Sequence, residues 1–528
     1  MSINNFIDAN EYDFPTKIKT SVCIIGGGAA GITLARNLKT IDDVLIIESG
    51  NFNMEGSTQA LYKGENTSLP YHDLLSCRLR YFGGTTNHWG GYCRPNDPID
   101  YEGRESLGLP KWPINEVTLS PYIAKAAKEL GLKSEFFNNE SILGNYDIPH
   151  TELIDREINE LYTKVFQLTR KKRFAKTYKD ELSEQANLQV CMNLNVIHIQ
   201  LDPKGNKVVS ILCKTLKGKE VIIEANNYIL ASHAIENARL LLNSNNVNKQ
   251  GIGNDFDHVG RYFMDHIHIQ ATKLIPSDNF PFIYDRNVLR DMKLNANISF
   301  TDNYLRKNNI LQYYCRFIPI YTQAQVRDSI TGIKGEINKP FSNKLYEDIK
   351  VVLNDFGGAK NQLLSNFRLT QPVPKYYYLD QRIEQAPNPN SRVVLSNDKD
   401  ALGIPLANLE WNLNEHDYRT FEIGQEKIIK ELSALGAGRF IIEKITPELV
   451  NERVAGHYHH IGTTRMSNNA EEGVVDANCK VHGIDNLYVA GSSVFPTAGY
   501  SGPTMMIVAL SIRLAEHIKI NVGSYDVS

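Results

Sequence analysis

Three groups of residues in this chain have types and spacings that could do chemistry. Gly26-Gly27-Gly28-Ala29-Ala30-Gly31 satisfies Gly-x-Gly-x-x-Gly, and Glu48 stands twenty positions after Gly28. Glycines at this spacing let a chain turn tightly, let its backbone approach a pyrophosphate at a helix N-terminus and let the helix pack closely, while the later carboxylate accepts from a ribose hydroxyl. The pattern implies a dinucleotide cofactor and does not by itself separate FAD from NAD. The second group is Tyr81-Phe82-Gly83-Gly84-Thr85-Thr86-Asn87-His88-Trp89-Gly90-Gly91, in which glycines around a polar, aromatic centre let backbone amides come close to a flat ligand such as the redox edge of a flavin. The third is Tyr458-His459-His460-Ile461-Gly462-Thr463-Thr464-Arg465-Met466. An imidazole here suits proton transfer, because histidine titrates near operating pH. A metal set built on His457-x-His459 or His266-x-His268 is disfavoured, since strand alternation offers two ligands at most and no clustered carboxylate completes the set.

The elements that must position these residues follow from the hydrophobic pattern. Residues 21–25 form a β-branched apolar run into Gly26, an Ala- and Leu-rich helix extends to Leu38, and residues 44–47 form a second apolar run, which together read as a βαβ unit of a parallel sheet. Residues 51–110 carry little periodicity and read as a long excursion lying over something else. A helix is expected from the Trp112-Pro113-Ile114 segment to about Leu132. Runs at 196–201, 208–213 and 220–223 read as a β-meander, followed by a separate buried strand at 227–231 and a helix over 234–242. Strands are expected at 311–320 and 376–385, and an apolar helix over 504–518.

The fold class is therefore α/β: a Rossmann-like cofactor domain in two parts, 1–270 and 451–528, and a substrate domain over 271–450 built on an antiparallel sheet. Tyr313, Tyr314, Phe317 and Tyr321, with Tyr376, Tyr377 and Tyr378, give that domain aromatic faces; a half-buried sheet is favoured over a sugar platform. Within 334–367, Leu345, Ile349, Val352, Leu353 and Phe356 recur at helical spacing and read as a covering helix.

Composition bounds the rest. The 528 residues include 57 Lys and Arg against 60 Asp and Glu, so no global positive field draws the chain to nucleic acid or anionic lipid. The seven cysteines, at 23, 77, 93, 191, 213, 315 and 479, are scattered without a Cys-x-x-Cys pair, which fits a reducing compartment. The N-terminus lacks a signal-peptide pattern, and the apolar stretch at 505–515 is too short to span a bilayer. The expected setting is soluble and cytoplasmic.

With these motifs the sequence resembles the glucose-methanol-choline (GMC) family of FAD-dependent oxidoreductases. The Gly-Gly-x-x-x-His-Trp loop, the Trp-Pro-Ile segment and His-x-x-Gly-Thr-x-Arg-Met look most like its pyranose 2-oxidase, fructose dehydrogenase and glucoside 3-dehydrogenase branch. The resemblance implies an FAD-dependent oxidation of a CH–OH group of a sugar, glycoside or cyclitol to a carbonyl, with oxygen, a quinone or a redox protein as electron acceptor. A non-redox lyase of the hydroxynitrile type is the alternative on the same scaffold. The family's catalytic base lands on His459. Its second catalytic position, usually Asn or His, lands on Gly502, which leaves Tyr500, Ser501, water or substrate to fill that role. Implied cofactor contacts are Gly26, Gly28, Ala30, Gly31, Glu48, Gly84, Thr85, Asn87, His88, Trp89, Ala231, Gly491, Pro503 and Thr504. His88 aligns with a histidine that carries a covalent flavin in some relatives.

Overall fold

The structure is a computed structural model that describes residues 5–11, 13–138, 141–142, 160–277, 293–320 and 374–523, with isolated positions at 280, 284, 333, 348–350 and 352. Tyr321 and most of the 334–367 segment lie outside the described residues. In chain order the strands are β1 (Phe6–Asp8), β2 (Lys17–Ile25), β3 (Val44–Ile47), β4 (Tyr92–Cys93), β5 (Leu161–Leu168), β6 (Leu188–Met192), β7 (Asn195–Leu201), β8 (Val208–Lys214) and β9 (Glu220–Leu230). They continue as β10 (His266–Pro276), β11 (Leu294–Phe300), β12 (Tyr313–Ile320), β13 (Tyr376–Glu384), β14 (Arg392–Lys399), β15 (Pro405–Glu410), β16 (Gly438–Ile442), β17 (Ala455–Gly456) and β18 (Leu487–Val489). Five helices matter below: α1 (Ala29–Asn37), α2 (Glu116–Glu129), α3 (Ala234–Asn243), α4 (Glu415–Ala434) and α5 (Thr504–Gly523).

The first sheet runs β1-β6-β3-β2-β9-β8-β7, with β18 also on β9. Its core pairs are parallel, as the apolar runs at β2 and β3 require, and β7 to β9 are antiparallel. The separate strand expected at 227–231 is instead the second half of β9. Its first half pairs with β8 and its second half with β18, while β2 runs beside both, so one continuous strand serves the meander and the parallel core.

The second sheet runs β16-β10-β13-β12-β11-β5-β4, with β17 on β10, and all its pairs are antiparallel. The expected 271–450 segment does not supply this sheet alone. β11 is held along its whole length by β5, from Leu294↔Gln167 to Phe300↔Leu161, and β10 begins at His266. The sequence pattern gives no clue to this pairing, because β5, Leu-Tyr-Thr-Lys-Val-Phe-Gln-Leu, carries no local mark of which strand it will join.

Alternation divides the second sheet into two faces. Tyr313, Cys315, Phe317, Leu379 and Ile383 are buried. At this apolar face a side chain on Gly424 of α4 would sit 2.3 Å from the Tyr313 ring. Tyr377 packs against Phe280 and Phe317. Of the described tyrosines considered as a sugar platform, Tyr314 alone lines the cavity described below, and the half-buried-sheet reading holds for Tyr313 and Tyr377.

Two glycines of the first turn behave differently. Gly31 lies inside α1, where an added Cβ would stand 1.9 Å from the Gly26 carbonyl oxygen, a backbone atom that cannot retreat. A Cβ on Gly28 meets nothing within 4 Å, and its backbone at φ −87° suits any residue. Gly31→Ala is therefore expected to lower the unfolding free energy of the apo chain by more than about 2 kcal/mol, and Gly28→Ala to change it by less than about 0.5 kcal/mol, in denaturant titrations of both variants.

Candidate active site

A cavity of about 610 Å³ lies between the two sheets, and the excursion at 51–110 covers it with Tyr62, Ser76–Tyr81 and Gly84–Tyr92 segments. Gly26, Gly28, Ala30 and Glu48 line one end, at the start of α1 and the end of β3. Gly84, Thr85, His88 and Trp89 line one wall, and Ala231, Gly491, Gly502, Pro503 and Thr504 line another. His459 faces the same space.

Four expected site residues are not on the wall. Gly31 packs under the turn, and Asn87 holds the glycine loop by donating from Nδ2 to the Phe82 carbonyl at 2.9 Å. Tyr500 is fully buried, hydrogen-bonded to Arg94 and to Asp97, so it is not a donor to substrate. Ser501 donates to the Arg94 carbonyl at 3.0 Å and is likewise occupied. Both lie in a turn whose backbone, not whose side chains, borders the site.

The end near α1 has the shape and donors of a dinucleotide site. Glu48 accepts from the Gly27 and Gly50 amides at 2.9 Å each, and burial raises its carboxyl above the usual range. The N-cap of α1 is Gly28 with no side chain to satisfy the helix amides, and nothing fills the space where its Cβ would be. On the wall of the same cavity, buried Arg78 keeps Nε and Nη1 without partners while Nη2 reaches Glu236 at 3.1 Å. An uncapped helix start with open space before it, in a cavity that a cation with unpaired donors also lines, fits a diphosphate.

The other end is built around histidines. The chain leaves β17 through Tyr458 in a left-handed conformation, φ 60°, and the His459 amide donates to Asp265 Oδ1 at 3.0 Å. Tyr71 from the excursion donates to the other oxygen of Asp265. His459 Nδ1 lies 2.9 Å from His266 Nδ1, and His266 Nε2 lies 3.2 and 3.0 Å from the Ala498 and Gly499 carbonyl oxygens.

These contacts fix the protons. Carbonyls only accept, so His266 Nε2 carries the hydrogen; burial lowers His266 to about 4, so its ring is neutral and Nδ1 is a lone-pair acceptor. His459 must then donate from Nδ1, which leaves its Nε2 bare. That nitrogen stands 3.6 Å from where a Gly502 Cβ would be and has no protein partner among the described residues. Burial, His266 and Arg382 hold His459 well below the usual histidine range. The arrangement is an unprotonated imidazole nitrogen aimed into a cavity.

The expectation that no carboxylate joins the histidines does not hold, because β10 and β13 bring two. Asp265 lies with His266 and His459, and Asp380 with His268 and His457, the ligand atoms of each group within 4.8 Å of one another. In the second group both oxygens are engaged, Oδ1 by His268 Nδ1 at 2.6 Å and Oδ2 by Arg382. Burial alone would raise Asp380, and the His268 bond and the Arg382 charge bring it down to about 2.

Sequence reasoning missed His266 as a partner of His459, and it missed Arg316, Arg382 and Asn297, which the polar face of the second sheet turns into the cavity. Polar residues two apart inside apolar strands, Asn295-x-Asn297 and Tyr314-x-Arg316, were the available signal.

Family models described as GMC oxidoreductase match residues 24–268 and 387–511. The chain belongs to the GMC oxidoreductase family. Its members are FAD-dependent oxidoreductases acting on CH–OH donors, and so is this protein. The fructose dehydrogenase large subunit of Gluconobacter japonicus is 24% identical over 95% of this chain and 98% of its own length. The paromamine 6'-oxidase of Streptomyces fradiae is 23% identical over 94% and 91%. A solved FAD-dependent oxidoreductase from Chaetomium thermophilum shares the fold, with a TM-score of 0.56 at 17% identity over 95% of this chain and 99% of that one. Among the described residues no helix is long and apolar enough to cross a membrane.

The Ala498 and Gly499 carbonyls act on His459 only through His266. His266→Leu should slow flavin reduction by about 10–100-fold, since His459 then loses the acceptor that selects its tautomer. His266→Gln, which can accept at Oε1 and donate at Nε2, should recover most of the rate. Equal loss in both variants, at equal flavin content, would count against the tautomer role.

Proposed function

We propose that the protein oxidises a CH–OH group of a sugar, glycoside or cyclitol to a carbonyl, with His459 as the base. The bare Nε2 of His459 beside Gly502 carries this reading. The names of the relatives matched over most of their length, a fructose dehydrogenase large subunit and a paromamine 6'-oxidase, support a carbohydrate alcohol, and as oxidising enzymes they favour oxidation over the lyase alternative.

FAD, when bound, supplies the hydride acceptor for the alcohol carbon. Gly26, Gly28, Ala30, Glu48 and Arg78 would hold its diphosphate and ribose end, and the Gly84–Trp89 wall with Gly491, Pro503 and Thr504 its ring end. His459 Nε2 accepts the hydroxyl proton. Its Nδ1–H stays donated to His266, so the ring keeps its orientation as it gains charge, and the His266 lone pair faces the developing imidazolium. Gly502 leaves the space beside Nε2 open for the carbinol. The seven cysteines are buried and unpaired, in keeping with a reducing intracellular setting.

His459→Ala, with flavin content unchanged, should reduce the rate of anaerobic flavin bleaching by about 10²–10⁴-fold, with partial recovery at high pH where alkoxide is commoner. The sign of the pH effect follows from the lowered His459 value. A base that titrates below the usual 6.5 or so is still deprotonated there, so the wild-type rate should stay flat as pH falls through about 6.5 and drop only lower down. An inflection near 6.5 in the reductive half-reaction would remove the buried, tautomer-locked base from the mechanism.

His88 stands on the exposed part of the cavity wall. Acid precipitation reads a bond there directly: a covalent flavin pellets with the chain and moves to the supernatant in His88→Ala. Wild-type flavin wholly in the supernatant ends the covalent assignment.

A further inference from the structure

The polar face of the second sheet holds a cation that nothing in the fold uses. Arg316, on β12, lines the cavity, and its side chain makes no hydrogen bond or ion pair with any described residue. The carboxylate opposite it in register, Asp380 on β13, is taken by His268, Gln270 and Arg382. Among the described residues the one ring contact of Arg316 is with Tyr92, its guanidinium carbon 5.9 Å from the ring centroid. The Tyr92 carbonyl oxygen lies 3.8 Å from the Cβ position of Gly502, which is itself 3.6 Å from His459 Nε2. The free guanidinium is thus one residue away from the open space in front of the base.

Its surroundings add to the same charge. Arg382 is the next cation on the wall, and its single carboxylate partner leaves the sheet face with an excess of one positive charge. At the edge of the cavity the Lys172 side chain passes 2.7 Å from the Cβ position of the wall residue Gly91, and it sits near Lys293 and Arg173. Burial and these two cations lower the Lys172 ammonium below its usual range. Lys172 and Lys293 have no acidic partner among the described residues. On β11 the column from exposed Lys293 runs inward through Asn295 to Asn297, whose buried Oδ1 has no partner and can accept from a hydroxyl.

We propose that the alcohol oxidised here is an anionic polyol, a sugar derivative bearing a carboxylate or phosphate group, which Arg316 binds while Asn297 accepts from a hydroxyl and the carbinol lies at His459. A planar guanidinium with free N–H groups binds either oxyanion in paired hydrogen bonds. The cationic rim raises the local concentration of anions at the mouth. This inference rests on the alcohol oxidation proposed above, and it goes further by naming the charge of the substrate.

The test uses the purified full-length holoenzyme under anaerobic conditions, with flavin bleaching followed against matched sets: a neutral hexose, the hexuronate and the hexose 6-phosphate, each in several epimers. One anionic arm is expected to reduce the flavin at least about tenfold more efficiently than its neutral counterpart, and which arm does so separates carboxylate from phosphate. Raising salt from about 50 to about 500 mM should shrink that advantage, because screening acts on the charged arm only. Arg316→Gln should bring the anionic-to-neutral ratio to within about threefold, and Arg316→Lys should keep part of it. If Arg316→Gln does not retain flavin, the salt dependence of the wild-type ratio decides. Neutral sugars bleaching the flavin as well as or better than their anionic counterparts, or a ratio that Arg316→Gln leaves in place, overturns the role of Arg316 and leaves alcohol oxidation standing. A panel in which no alcohol bleaches the flavin overturns alcohol oxidation itself.

Discussion

The hydrogen bond between His459 Nδ1 and His266 Nδ1 is the point on which the geometry of the site turns. It joins a residue of the loop after β17 to a residue at the start of β10, and its direction is set by two backbone carbonyls in the turn before α5. Three segments distant in sequence must be correctly placed before one nitrogen is left bare. Asp265, next to His266, reinforces the same junction by accepting the His459 amide and the Tyr71 hydroxyl. The excursion over the cavity, the antiparallel sheet and the turn leading into the last helix are therefore coupled through two adjacent residues of one strand.

Neutrality of these imidazoles is as important as their placement. Burial disfavours the charged form of each, and Arg382 adds a positive potential that acts on His266, His457 and His459 alike. Asp380 does not reverse this, because its oxygens are committed to His268 and Arg382, which largely neutralises its charge where it stands. An imidazole kept unprotonated by its surroundings is free to accept a proton at ordinary pH, at the cost of weaker intrinsic basicity. The bond to a neutral acceptor at Nδ1 offsets part of that cost once the ring takes a proton.

Much of this was legible in the sequence, and for identifiable reasons. The βαβ unit, the glycine turn, Glu48 and the helix after Pro503 are local patterns, in which spacing along the chain is spacing in space. His459 was legible because its motif is contiguous. His266 was read only with His268, as a possible metal pair, because its partner lies 193 residues away and strand pairing alone brings the two rings together. Tyr500 and Ser501 were expected to reach substrate as neighbours of Gly502. Their side chains turn the other way, into the Arg94–Asp97 cluster, a direction set by the turn and not by residue type. The second sheet drew β5 from outside the expected 271–450 segment, since long-range pairing leaves no mark on the local sequence of a strand.

Gly502 and Arg316 show how the site divides its work between backbone and side chain. At Gly502 the chain withholds a side chain, so the position that could have supplied a second hydrogen-bonding group becomes space next to His459 Nε2. A substrate group that lacks a partner there must be held from elsewhere, and the polar face of the second sheet is the surface that faces it. Strand alternation makes that surface inexpensive to vary: residues at 297, 314, 316 and 382 point into the cavity, while their neighbours at 298, 313, 315 and 383 keep the apolar face intact. Changes at 297 and 316 can therefore accumulate on one face of β11 and β12 without disturbing the packing against α4, whereas Arg382 is tied to Asp380 and to the charge state of the His266 junction. The orientation of the His459 ring is fixed through His266 by backbone carbonyls, while the cavity face near it carries a side chain, that of Arg316, which makes no hydrogen bond or ion pair with the described residues.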